Sequence, residues 1–205
     1  MRYANQIKFG SITTSEAEIK DLIKAWLAIS LAFALLLSSS AFSIDFYFKF
    51  ILSALTVGTG FLLHELGHKI VAQRYGCFAE FRSFDSMLVF AVIMAIFTPF
   101  VFAAPGAVMI EGKVNKRKNG LISAAGPIVN LALALIFLAL IFLGLPKLFK
   151  EVALYGFMIN SWLALFNMLP LWQFDGYKIW KWNKIAYTAV AGIAFIFVFG
   201  WNFPR

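Results

Sequence analysis

The chain has 205 residues, 61% of them hydrophobic and 14% charged, with a mean hydropathy of +0.82. Soluble domains are about half apolar and about a quarter charged, so this composition excludes an ordinary soluble protein and calls for a bilayer. The net charge of +8 does not point to nucleic acid, because the lysines and arginines flank apolar segments, as membrane topology requires.

Some 20 mostly polar residues precede the first apolar run, so no cleavable signal peptide is expected. The first span runs from about Leu22 to Ser43, with Lys20 and Lys24 at its entrance, and Ser43, Ile44 and Asp45 form a short turn. The second runs from about Phe46 to Ala72. It carries Gly58, Gly60 and His64-Glu65-Leu66-Gly67-His68, and Arg74 and Arg82 follow it. Cys77 is the only cysteine, which excludes an internal disulfide. An apolar stretch from Met87 to Met109 is broken at Thr98-Pro99 and at Pro105-Gly106. A basic loop with Lys113, Lys116, Arg117 and Lys118 leads to a span from about Leu121 to Leu145 that begins with Ala125-Gly126-Pro127. Two more spans run from about Val152 to Leu171 and from Ile185 to Phe203. The fold class expected is an all-α polytopic membrane protein, with about five to six transmembrane helices and a re-entrant hairpin or short membrane-embedded strand segment. A single integral membrane domain, 1–205 with its core at about 46–176, leaves no separate soluble domain.

Both histidines of the chain lie in one His-Glu-x-x-His. On a helix, positions i and i+4 share a face, so both imidazoles reach one metal ion. Zinc accepts such nitrogen ligands and, in catalytic sites, keeps a position open for water. Glu65 is then placed to take a proton from that water as it attacks a carbonyl. The bland alternative is two packed histidines and a buried glutamate. Three ionisable groups within five residues at membrane depth are hard to retain without a purpose. A third ligand must come from Asp45, Cys77, Glu80, Asp85, Glu111, Glu151 or Asp175. Most of these adjoin basic residues or loop ends, where a solvated carboxylate is ordinary. Asp175 differs, because Pro170 and Gly176 free the backbone around it at the end of a span.

Topology bears on the choice. If the Met87–Met109 stretch crosses the membrane once, the 18 basic residues divide 10 to 8. If it enters and returns on one side, Lys113, Lys116, Arg117, Lys118, Lys178, Lys181 and Lys184 join the N-terminal side, and Lys147, Lys150 and Arg205 leave it. The division becomes 14 to 4, as the positive-inside rule expects. Re-entry also brings the end of the span bearing His64 and His68 to the same side as Asp175; a single crossing sets them opposite. Five full spans with one re-entrant hairpin, the N-terminus cytoplasmic and Arg205 outside, are therefore expected for a multi-pass protein of the cell membrane.

At these residues the sequence resembles the site-2 protease family of intramembrane metalloproteases. His64-Glu65-Leu66-Gly67-His68 is similar to its helix motif, and Ala125-Gly126-Pro127 to the start of its next core helix. Asn167-x-x-Pro170 with Asp175-Gly176 resembles its Asn…Pro…Asp-Gly motif, and Pro105-Gly106-Ala107-Val108 its short membrane-embedded strand. The resemblance covers roughly residues 20 to 180. It implies one zinc per chain on His64, His68 and Asp175, Glu65 as general base, and Asn167 holding the substrate backbone or the developing oxyanion. The chain departs from the family at Asp175-Gly176-Tyr177, where Asp-Gly-Gly is frequent, and the Met87–Phe102 segment is longer than the compact core needs. The function expected is hydrolysis of peptide bonds within or near transmembrane segments of membrane-protein substrates, in the lipid bilayer and without nucleic acid. The Pro105–Val108 strand would hold the unwound substrate by β-augmentation. Two other readings stay open: a membrane zincin of the prenyl-protein type with a glutamate third ligand, and a non-enzymatic ion pathway built on His64, Glu65 and His68.

Overall fold

A computed structural model of the chain describes residues 6–10, 12–40, 43–99, 101, 105–171 and 174–201; the expectation for Arg205 lies outside them. The polar N-terminal segment forms a hairpin of β1 (Gln6–Phe9) and β2 (Ile12–Ser15), paired antiparallel. Helix α1 (Glu16–Leu37) follows without a loop. The Ser15 hydroxyl accepts the Glu18 N–H at 3.1 Å, which stops the strand and caps the helix. The first helix thus begins ahead of the apolar run that marks it in the sequence.

Helices α2 (Ile44–Ser53) and α3 (Thr59–Arg74) join through a π-helical stretch, Ala54–Gly58, into one 31-residue helix. There the Thr59 N–H reaches back to the Ala54 carbonyl, which also accepts from the Trp26 indole N–H at 3.0 Å. Strand β3 (Phe78–Ser83) pairs antiparallel with β4 (Gly106–Glu111), with Ser83 opposite Gly106 and Phe81 opposite Val108. Helix α4 (Asp85–Phe97) lies between them in the chain. Helices α5 (Lys116–Ile141), α6 (Lys147–Asn167), α7 (Asp175–Trp182) and α8 (Lys184–Phe199) complete the bundle.

Among the described residues the chain is mostly helical, and two small antiparallel sheets qualify the all-α expectation. The strand expected at Pro105–Val108 opens β4, but its partner β3 was not expected. A second correction concerns Ala125-Gly126-Pro127. Asn115 caps α5 by accepting the Lys118 N–H at 2.9 Å, and Pro127 lies well inside the helix rather than at its start. A proline there removes one backbone bond and bends the helix, which a membrane bundle tolerates when neighbours take up the freed groups.

Two helices among the described residues, Ile44–Arg74 and Lys116–Ile141, are long and apolar enough to cross a membrane. Small residues are buried where the helices meet, the kind of contact that lets backbones approach closely. Ala25, Ala32, Ala34, Ala134, Ala164 and Ala194 are fully buried, while Leu135, Ile136, Phe195 and Ile196 are more than half exposed.

Candidate active site

Helix α3 presents two adjacent stripes. His64 and His68 face α5 and the start of α7; Glu65, with Lys69 one turn on, faces the β3–β4 sheet. The Nε2 atoms of His64 and His68 stand 3.0 Å apart. Asp175, the first residue of α7, brings Oδ2 to 3.4 Å from the His64 Nε2 and 3.1 Å from that of His68. All three residues are buried, at the wall of a cavity of 620 Å³.

Proton positions follow from the partners. The His68 Nδ1 lies 2.7 Å from the Ile122 carbonyl, which can only accept, so Nδ1 carries the hydrogen. The His64 Nδ1 lies 2.6 Å from the Asn130 Oδ1, again an acceptor. With both rings neutral, the two Nε2 atoms present bare lone pairs to one another and to the Asp175 carboxylate. Three buried lone pairs converging without a hydrogen between them repel, unless a cation lies among them.

The spacing suits zinc. Bonds of about 2.0–2.1 Å in a tetrahedron put neighbouring ligand atoms about 3.3 Å apart, and the three separations here run from 3.0 to 3.4 Å. Room is kept by Gly126, where a Cβ would lie 2.5 Å from both Nε2 atoms. The donor set and the cradle fit a zinc ion. His64, Glu65 and His68 also bring their ligand atoms within 4.8 Å of one another.

The Glu65 Oε2 accepts the backbone N–H of Val108 at 3.1 Å, on the edge of β4 turned away from β3. The Phe81 N–H, opposite Val108 on β3, donates instead to the Glu18 Oε1 at 2.9 Å. A carboxylate from a neighbouring helix thus caps each outer edge of the sheet. Glu65 stands on the cavity side, within reach of a group held before the imidazoles.

Of the seven residues weighed as a third ligand, Asp175 is the one set against the imidazoles. Cys77 is buried in an apolar cluster with Ala72, Ala79 and Ile122. Glu80 is held by Ser15 and Arg82, and Asp85 by Lys24. Asp45 accepts from the Ser39 N–H, Glu111 ends β4 on the surface, and Glu151 lies in the first turns of α6. Asn167 lines the same cavity as Asp175, and its Nδ2 donates to the Leu163 carbonyl at 2.9 Å.

Sequence reasoning passed over Asn130, which is fully buried and holds His64. Its signal is an amide in the middle of a long apolar helix, one turn beyond Gly126, where an unpartnered polar group would be costly.

The model of peptidase family M50 matches residues 52–154. A relative from Methanocaldococcus jannaschii, provisionally named a zinc metalloprotease, is 41% identical over 184 residues, which is 89% of this chain and 92% of the relative. Rip2 of Mycobacterium tuberculosis, named in the same provisional way, is 31% identical over 131 residues, 56% of this chain and 50% of its own length. YwhC of Bacillus subtilis, likewise so named, is 31% identical over 150 residues, 61% of this chain and 65% of its own. No solved structure gives a significant match.

Proposed function

The chain belongs to peptidase family M50 and is a zinc-dependent metalloendopeptidase, and we propose that it cuts membrane-protein substrates within or near their transmembrane segments. One observation carries this reading: two Nε2 atoms and the Asp175 carboxylate converge beside Glu65, at the outer edge of β4.

In this reading His64, His68 and Asp175 hold one zinc. Bound there, the ion supplies Lewis-acid polarisation of a water and of the scissile carbonyl. Glu65 accepts a proton from the attacking water and passes it to the leaving amine. A substrate helix gives up its i+4 bonds before its carbonyls can be reached, and the outer edge of β4 offers the extended segment backbone partners. Asn167 uses one amide hydrogen on Leu163 and keeps a second for a substrate carbonyl or the developing oxyanion. Phe61, Phe84, Met87, Leu163 and Phe166 give the cavity an apolar wall suited to a transmembrane segment.

We further propose that 1–205 form one membrane domain with five full spans and one re-entrant hairpin, the N-terminus cytoplasmic. The β3–β4 register supports re-entry, since Ser83 and Gly106 are paired and α4 leaves from and returns to one place. Its 13 residues measure about 20 Å, well short of the roughly 30 Å of a bilayer core. The 14 to 4 division of basic residues supports the orientation. Single-cysteine labelling in a Cys77→Ser background should reach positions near Lys116 and Lys181 from the cytoplasm and one near Lys150 from outside. Labelling near Lys116 from outside overturns the hairpin.

The activity reading is tested by metal analysis of purified protein. About one zinc per chain is expected. His64→Ala should lose it, and Glu65→Gln should keep it while proteolysis falls at least about 100-fold. Full zinc retention in His64→Ala overturns the assignment.

A further inference from the structure

The hydrogen bonds behind His64 run further than the metal site itself. The Asn130 Oδ1 takes the His64 Nδ1–H at 2.6 Å, while the Asn130 Nδ2 donates to the Gly60 carbonyl at 3.1 Å and to the Asn160 Oδ1 at 3.0 Å. The Asn160 Nδ2 then donates to the Gly156 carbonyl at 2.9 Å. Both asparagines are fully buried. The series has one consistent polarity. Gly156 offers only an acceptor, so the Asn160 amide must turn its nitrogen there and its oxygen towards Asn130. Asn130 spends both amide hydrogens, on Asn160 and Gly60, and so turns its oxygen to His64. A reversed Asn130 amide would face its oxygen to two other oxygens and put an N–H against His64. The Nδ1 would then have to accept and Nε2 would carry the proton, which forbids metal binding there.

We propose that Asn160, on α6, is a positioning residue for the metal centre: through Asn130 it holds His64 in the tautomer whose Nε2 is free to bind zinc. The proposal rests on the zinc reading above. Three helices are tied by it, since His64 lies on α3, Asn130 on α5 and Asn160 on α6. Helix α6 ends at Asn167, eight residues before Asp175 opens α7. The close approach is built in: a Cβ on Gly60 would lie 2.5 Å from the Asn160 Oδ1. The next residue shows the contrast. Ser161 is equally buried, but its hydroxyl only returns to the Phe157 carbonyl of its own helix at 2.7 Å.

The test uses the full chain in detergent, with zinc affinity from chelator competition and ¹⁵N-histidine spectra of the zinc-loaded protein. The chain has two histidines, both at the site, so the spectrum holds two rings. Partners behind a metal-ligating histidine are worth about 10- to 100-fold in affinity. Asn160→Leu is expected to weaken zinc about 10-fold and to shift or broaden the Nδ1–H signal of His64, leaving that of His68 unmoved. Asn160→Asp, measured with its carboxyl protonated so that the O–H faces the Gly156 carbonyl, keeps an oxygen for Asn130 and should stay within about threefold of the parent, as should Ser161→Ala. If Asn160→Leu does not fold, Asn160→Ala takes its place in the comparison with Asn160→Asp. Parental affinity and an unmoved His64 signal in the leucine or alanine variant overturn the proposal, as does an aspartate variant as weak as either. Those outcomes leave the zinc reading standing, whereas a parent chain that binds no zinc removes both.

Discussion

One helical turn separates Glu65 from Lys69 on α3, and the polar clusters on the two sides of that turn differ in kind. Lys69 is 2% exposed and meets Glu18, itself at 0%. The Glu18 carboxylate also accepts from the Phe81 N–H and the Thr14 hydroxyl. Nearby, Ser15 and Arg82 satisfy Glu80. Each of these charges has an opposite charge or a donor beside it, and the cluster closes the outer edge of β3 against α1. On the other side, His64, His68 and Asp175 set lone pair against lone pair at the wall of a 620 Å³ cavity. Burial alone does not separate a structural cluster from a chemical one, for both are buried. Whether the buried groups satisfy one another does.

That contrast can be broken by experiment. The largest effect is expected on the closed side: Lys69→Met leaves the Glu18 charge buried without its partner. It should lower stability by about 3–5 kcal/mol in chemical unfolding, while the folded remainder still holds one zinc. Zinc lost at parental stability would erase the distinction between the clusters. On the open side, stability should come from the ion. With free zinc at about a hundredfold its dissociation constant, chelation is expected to remove about 2.7 kcal/mol. Asp175→Asn protein should show only a small part of that shift, and an undiminished one would take Asp175 out of the site. The smallest effect is expected for Cys77→Ala, about 1 kcal/mol from thinner packing, with the full chelation shift retained. Disappearance of the shift in that variant would move the third ligand to Cys77.

The open cluster was the more legible of the two in the sequence. His64, Glu65 and His68 lie within one turn and a half of helix, so spacing alone sets them on adjoining stripes. Asp175 stood out through its Pro170 and Gly176 neighbours, although 107 positions separate it from His68 and only the fold binds it to α3. The closed cluster was not legible. Glu18, Lys69, Glu80 and Arg82 read as ordinary charges at the ends of apolar runs, and only the packing of β3 and α3 against α1 brings them together. Strand β3 was hidden for the same reason: Phe78-Ala79-Glu80-Phe81-Arg82-Ser83 is short, and its partner begins beyond the whole of α4. Pro127 misled because prolines mark helix starts in water, whereas this one lies inside a helix surrounded by other helices.

The π-helical stretch before α3 acts as a phase setting for everything downstream. Each residue of an α-helix turns the chain by about 100° and advances it about 1.5 Å, and a π turn accommodates one residue more than an α turn would. Inserting one alanine after Leu55 into Ala54–Gly58, a turn that already holds its extra residue, would swing His64, Glu65 and His68 by about 100° without touching any of them. The imidazoles would leave Gly126 and Asn130 together. Such a protein should keep its helical content by circular dichroism and lose its zinc, the behaviour of a key whose teeth are intact but cut around the wrong side of the shaft.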